Sequence, residues 1–68
     1  MKIRVKLSRI NHIKEYFFDN GSTVQDLLKE IDLKPDTVIV INRDRPIPID
    51  EELTDNDQLI IIQVSSGG

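Results

Sequence analysis

Apolar and charged residues alternate from the start of the chain: Ile3, Val5 and Leu7 are interleaved with Lys2, Arg4 and Lys6, the period of two that marks a strand with one buried face. The polar stretch Ser8 to His12 ends this pattern. Beyond it Ile13, Glu15 and Phe17 fall on one side and Lys14, Tyr16 and Phe18 on the other, so a second strand returning as a hairpin partner is predicted. The breaker Asp19-Asn20-Gly21 and the capping residues Ser22 and Thr23 come next, with Asp26 three residues after Thr23 in a shortened capping-box spacing. Val24, Leu27, Leu28 and Ile31 recur at i, i+3, i+4 and i+7, which predicts one amphipathic helix of about nine or ten residues. Pro35 disfavours a helical residue before it and places the helix end near Asp32 to Leu33.

Thr37 to Asn42 is β-branched almost throughout, a composition that predicts a strand buried on both sides or nearly so. A turn at Arg43-Asp44-Arg45-Pro46 follows, and the two prolines around Ile47 confine the segment Ile47-Pro48-Ile49 to a sheet edge. Asp50 to Thr54 reads as a polar connection anchored by Leu53 alone, and Asp55-Asn56-Asp57 as a turn whose Asn adopts the left-handed conformation. The last strand is predicted over Gln58 to Val64. One helix among these strands must cover one face of the sheet, the two-layer α+β solution. With the first and last strands adjacent and parallel at the centre, the arrangement is a β-grasp: a mixed sheet of four to five strands covered on one face by one helix. Leu59 and Ile61 then face the helix with Ile3, Val5 and Leu7, while Ile60, Ile62 and Val64 point to the uncovered face.

The chain has 68 residues and no cysteine, so it is limited to one small domain without disulfides and carries no thiol nucleophile. Residues 1–64 are read as that domain and residues 65–68, Ser65-Ser66-Gly67-Gly68, as a flexible tail. No apolar run exceeds four residues, as at Leu59 to Ile62, too short to cross a bilayer. The alternating start lacks the basic-then-apolar order of a leader. A cytoplasmic monomer is expected. Residues 1–34 carry a net charge of +2 and residues 35–68 of −5; this disfavours direct nucleic-acid binding, and an acidic second half suits a basic protein partner or a solvated face.

Chemistry is concentrated at the diglycine Gly67-Gly68. Without side chains it can enter a narrow channel that a Cβ would block and present the Gly68 carboxylate to a partner's active site. Other candidates read more plainly: His12 as an exposed loop residue, Arg43 and Arg45 as exposed flanks of a turn. The acidic clusters Asp50-Glu51-Glu52 and Asp55-Asn56-Asp57 read as turns without calcium-loop spacing. No metal site is expected.

The start Met1-Lys2-Ile3, the helix Thr23-Val24-Gln25-Asp26-Leu27-Leu28, the strand end Val40-Ile41-Asn42 and above all Asp57 to Val64 followed by Gly67-Gly68 resemble the ThiS and MoaD family of ubiquitin-like β-grasp sulfur carriers, most closely the thiamine-biosynthesis carrier. Asn56 stands where these carriers usually have glycine, and Ser65 and Ser66 where small or apolar residues are usual. The resemblance implies a carrier that is not itself an enzyme and binds no cofactor. An adenylyltransferase of the ubiquitin-activating type, similar to ThiF or MoeB, would use ATP to join Gly68 to AMP. A persulfide from a donor such as a cysteine desulfurase would then displace AMP and leave a C-terminal thiocarboxylate. That sulfur would pass to an acceptor enzyme such as thiazole synthase, or to pterin or tRNA thiolation. Gly67 and Gly68 would be the activated terminus; Ile60, Ile62, Val64, Ser65 and Ser66 would form the docking surface for the activating enzyme. A modifier joined through Gly68 to lysines is the alternative, and an interaction domain with an inert tail the third reading.

Overall fold

The computed structural model describes residues 1–64. The two alternating segments form an antiparallel hairpin, β1 (Lys2–Leu7) and β2 (His12–Phe17). They are followed by α1 (Val24–Glu30), a 3-10 turn at Pro35–Thr37, β3 (Val38–Asn42), β4 (Arg45–Ile47) and β5 (Gln58–Gln63). The sheet order is β2-β1-β5-β3-β4. β5 lies in the middle, parallel to β1 and antiparallel to β3, which is the expected β-grasp.

One face of the sheet carries the core. Ile3 and Val5 of β1, Val38 and Val40 of β3, and Leu59 and Ile61 of β5 pack with Val24, Leu27 and Leu28 of α1. Leu53, read from the sequence as the lone anchor of its connection, is buried in the same cluster. That connection is tied to the helix N-terminus as well: the Val24 and Gln25 N–H groups donate to the Glu51 and Ile49 carbonyls at 3.0 and 2.9 Å, filling positions that a helix leaves unpaired. The Thr23 N–H donates to Asp26 Oδ2 at 2.9 Å, the backward half of the expected capping box.

α1 has seven residues, shorter than the periodicity suggested, because Ile31 is the C-cap and Asp32 turns into the left-handed region at φ 60°. The Asp32 N–H donates to the Lys29 carbonyl at 3.2 Å and the Leu33 N–H to the Leu28 carbonyl at 2.9 Å, the bond pair of a Schellman ending. Ile31 still packs partly buried against the core. A side chain in this conformation costs energy that glycine avoids. Asp32→Gly is therefore expected to stabilise the fold by about 0.5 to 1 kcal/mol, read as a higher urea midpoint with an unchanged slope.

Two strand readings change. β3 is not buried on both sides: Val38 and Val40 face the core, but Ile39 is 41% exposed on the uncovered face. No second layer covers that face among the described residues, so the β-branched run reports strand preference and not double burial. The turn after β3 is also tighter than expected. Arg43 and Asp44 alone form it, with φ of 53° and 66°, a geometry that matches the twist of a two-residue hairpin. Arg45 and Pro46 already belong to β4, which forms the sheet edge but ends at Ile47, so Pro48 and Ile49 of the predicted edge segment lie beyond the strand.

Candidate functional site

The alternation of β5 decides what the uncovered face presents. With Leu59 and Ile61 fixed in the core, Ile60 and Ile62 must point the other way, and the Val64 N–H extends the pairing by donating to the Thr37 carbonyl at 2.9 Å. Ile60 is 37% and Val64 49% exposed, and Ile62 is half-buried. The register with β3 sets Ile41 opposite Ile60 and Ile39 opposite Ile62. Four isoleucines thus meet on this face. The structure brings together the predicted docking residues Ile60, Ile62 and Val64, and adds Ile39 and Ile41. Ser65, Ser66, Gly67 and Gly68 lie outside the described residues.

β1 supplies the charge beside this patch. Its parallel register sets Arg4 next to Gln58 and Lys6 next to Ile60, so Lys2, Arg4 and Lys6 form a basic strip on the uncovered face. An acidic second half therefore does not make this face acidic, since pairing brings the basic first strand against the last one. Ile13 and Phe17 of β2 flank the strip on its other side, 57% and 74% exposed. Alternation along β1 and β2 already showed these side chains sharing faces; what it lacked was the neighbour across each strand.

Glu15 sits on β2 opposite Arg4, between Ile13 and Phe17. Its Oε2 accepts a hydrogen bond from Arg4 Nη2 at 2.9 Å, and Lys2 Nζ lies 3.9 Å away. The Arg4 hydrogen bond first, and then the Lys2 charge, hold the Glu15 carboxyl below the usual glutamate range. The folded state thus favours the ionised form. Its contribution, small because the pair is exposed and screened by solvent, is present above the unfolded pKa and is lost as pH falls through the lower folded value. Urea unfolding of Glu15→Gln is expected to separate from wild type near neutral pH and converge with it in acid; parallel curves would contradict the pairing.

The Asp55-Asn56-Asp57 cluster serves the backbone. Asp55 Oδ1 accepts the Lys2 N–H at 2.8 Å and Asp57 Oδ2 the Thr54 N–H at 2.8 Å. Asn56 takes the expected left-handed conformation at φ 68°, and its N–H donates to the Lys2 carbonyl at 2.8 Å. These bonds fix where β5 begins relative to β1. Among the described residues no three His, Asp or Glu side chains gather as metal ligands would. His12, Arg43 and Arg45 are exposed, but His12 is the first residue of β2, paired with Leu7, and not a loop residue as the sequence suggested.

Comparison with known proteins follows the same outline. The sequence pattern of the family described as Small archaeal modifier protein 2 matches residues 1–64. Among solved structures, a protein described as molybdopterin converting factor, subunit 1, from Pyrococcus furiosus is similar with a TM-score of 0.76 at 24% identity, covering 94% of this chain and 98% of that one. SAMP1 from Haloferax volcanii is similar at 0.77 and 18% identity over 100% of both chains. A ubiquitin from Caldiarchaeum subterraneum is similar at 0.75 and 22% identity, covering 100% of this chain and 98% of that one. At these identities the structures bear on the fold, which is ubiquitin-like; none of them bears on thiazole formation.

Proposed function

Because the chain belongs to the small archaeal modifier protein 2 family, we propose that it acts as a ubiquitin-like sulfur carrier whose Gly68 carboxylate is activated by an adenylating partner and then converted to a thiocarboxylate. The observation that carries this reading is the placement of β5. The strand is central, bonded on both sides, and its last described residue, Val64, is still paired. A rigid element therefore leads to the diglycine from an apolar and basic face suited to docking. Four residues reach at most about 14 Å when extended, so a partner must bring its nucleotide that close to the end of β5. Contact around Ile62 and Val64 follows from that geometry.

In the proposed cycle a Gly68 carboxylate oxygen attacks the α-phosphorus of ATP, and pyrophosphate leaves. The resulting acyl adenylate has a good leaving group. A persulfide sulfur attacks its carbonyl carbon and AMP departs, leaving an acyl disulfide. A second thiol cleaves the sulfur–sulfur bond, being oxidised to a disulfide while the thiocarboxylate is released. This chain supplies the acyl group and the docking face, and its partners supply nucleotide, thiols and catalysis. Thiazole formation is one outlet for that sulfur, and pterin or tRNA thiolation are others.

The family's description as a modifier favours a second reading, in which the activated carbonyl is attacked by a lysine amine to form an isopeptide bond. Both readings share the adenylate. Incubation with the adenylating enzyme of the same cell should give ATP–pyrophosphate exchange that depends on this chain. Lysines carrying a remnant of its tail in cellular protein digests would assign the modifier fate; their absence beside a thiocarboxylate would assign sulfur carriage alone.

A further inference from the structure

The uncovered sheet face contains a cation that the fold itself leaves unpaired. Among the described residues the ion pairs are Arg4–Glu15 at 2.9 Å and Lys2–Glu15 at 3.9 Å, so Glu15 serves both and Lys6 has no acidic partner. The register sets Lys6 between Ile13 on β2 and Ile60 on β5. Both isoleucines are exposed, while Lys6 is half-buried, as expected of a lysine whose stem lies along apolar neighbours while its ammonium remains in water.

These three residues line a shallow depression of about 450 Å³, with Arg4, Arg43 and Asp57 also on its wall. The Asp57 carboxylate already accepts the Thr54 N–H. Asp44 is the other acidic residue there, against the three cations Arg4, Lys6 and Arg43. With Arg4 already paired to Glu15, Lys6 and Arg43 stand against Asp44 and Asp57, and Lys6 is the cation that the strand register sets between apolar neighbours.

A surface that covers Ile13 and Ile60 together must also cover Lys6. Stripping water from an unpaired ammonium costs several kcal/mol, more than the partial exposure of two isoleucines can return. A carboxylate placed opposite it turns that cost into a charge-assisted hydrogen bond and steers encounter. We propose that this depression receives an acidic side chain of the adenylating partner, seated between apolar contacts to Ile13 and Ile60. The proposal rests on the activation reading above and names the chemistry of the partner's surface. Lys6 pairs beside the first half of β5, away from the end that leads to Gly68, so it governs binding and not the chemical step.

The test is the KM for this chain in ATP–pyrophosphate exchange, with wild type, Lys6→Ala, Lys6→Arg and Lys6→Glu at low and high salt. Lys6→Ala should raise KM about tenfold at unchanged kcat, with Lys6→Glu worse and Lys6→Arg close to wild type. The wild-type KM should rise with salt more steeply than that of Lys6→Ala. Matched thermal unfolding of the variants excludes a folding defect, since the Lys6 side chain points away from the core. An unchanged KM in Lys6→Glu beside normal wild-type exchange overturns this anchor and leaves activation standing. No exchange with wild type overturns both.

Discussion

Deletion of Gly68 should abolish chain-dependent ATP–pyrophosphate exchange while leaving the urea midpoint of the fold unchanged. The expectation follows from where the two functions lie along the chain. The core is complete between Ile3 and Ile61, and the last described pairing is Val64 to Thr37. Stability therefore depends on residues that precede the diglycine. Activation depends on a carboxylate held at an α-phosphorus, and deletion withdraws it by about 3.4 Å. Misplacement by about 1 Å can already cost a hundredfold in rate. Gly68→Ala tests the channel more finely, since its added methyl lies beside the reacting carbon. It should lower exchange by about a hundredfold or more on the same ground. A variant that loses stability along with activity would contradict this separation.

Leu28→Ala should produce the opposite pattern, with loss of the fold before any loss of chemistry. Leu28 is 1% exposed and packs among Ile3, Leu59 and the other buried apolar residues of the cluster. Its carbonyl also accepts the Leu33 N–H that ends the helix, so it joins the packed face to the helix ending. Truncating a buried leucine costs about 2 to 5 kcal/mol. Small cores of this kind rarely supply more than about 3 to 5 kcal/mol in total, and no cysteine is present to add a staple. The variant should be largely unfolded or sharply destabilised in urea at room temperature. An unchanged midpoint would remove Leu28 from the core.

Much of this architecture was legible because alternation is a local signal. Ile3 and Val5 against Lys2, Arg4 and Lys6, and Leu59 and Ile61 against Ile60 and Ile62, can be sorted into faces from the sequence alone. β3 resisted the same reading because Val38, Ile39, Val40 and Ile41 are all apolar, and only their pairing with β5 shows that Ile39 and Ile41 belong to the open face. The helix ends two or three residues before the predicted Asp32 to Leu33 because the left-handed position is filled by Asp32, where a glycine would have marked it. The uncovered face was half visible. Ile60, Ile62 and Val64 could be named, but the place of Lys6 between Ile13 and Ile60 depends on register between strands from opposite ends of the chain. That register is set by long-range hydrogen bonds, including those of the Asp55 carboxylate and the Asn56 N–H to the Lys2 backbone, which no local pattern encodes.

The Gly68 carboxylate is, in the proposed cycle, the group that the fold presents to its partners. The most direct test of that role is the intact mass of the chain after incubation with ATP, the cognate adenylating enzyme and a persulfide donor. The proposed reading predicts a gain equal to the replacement of one oxygen by sulfur, carried on the C-terminal peptide and absent from the Gly68 deletion. An unchanged mass, with an enzyme shown to be competent for ATP–pyrophosphate exchange on this chain, would contradict sulfur carriage.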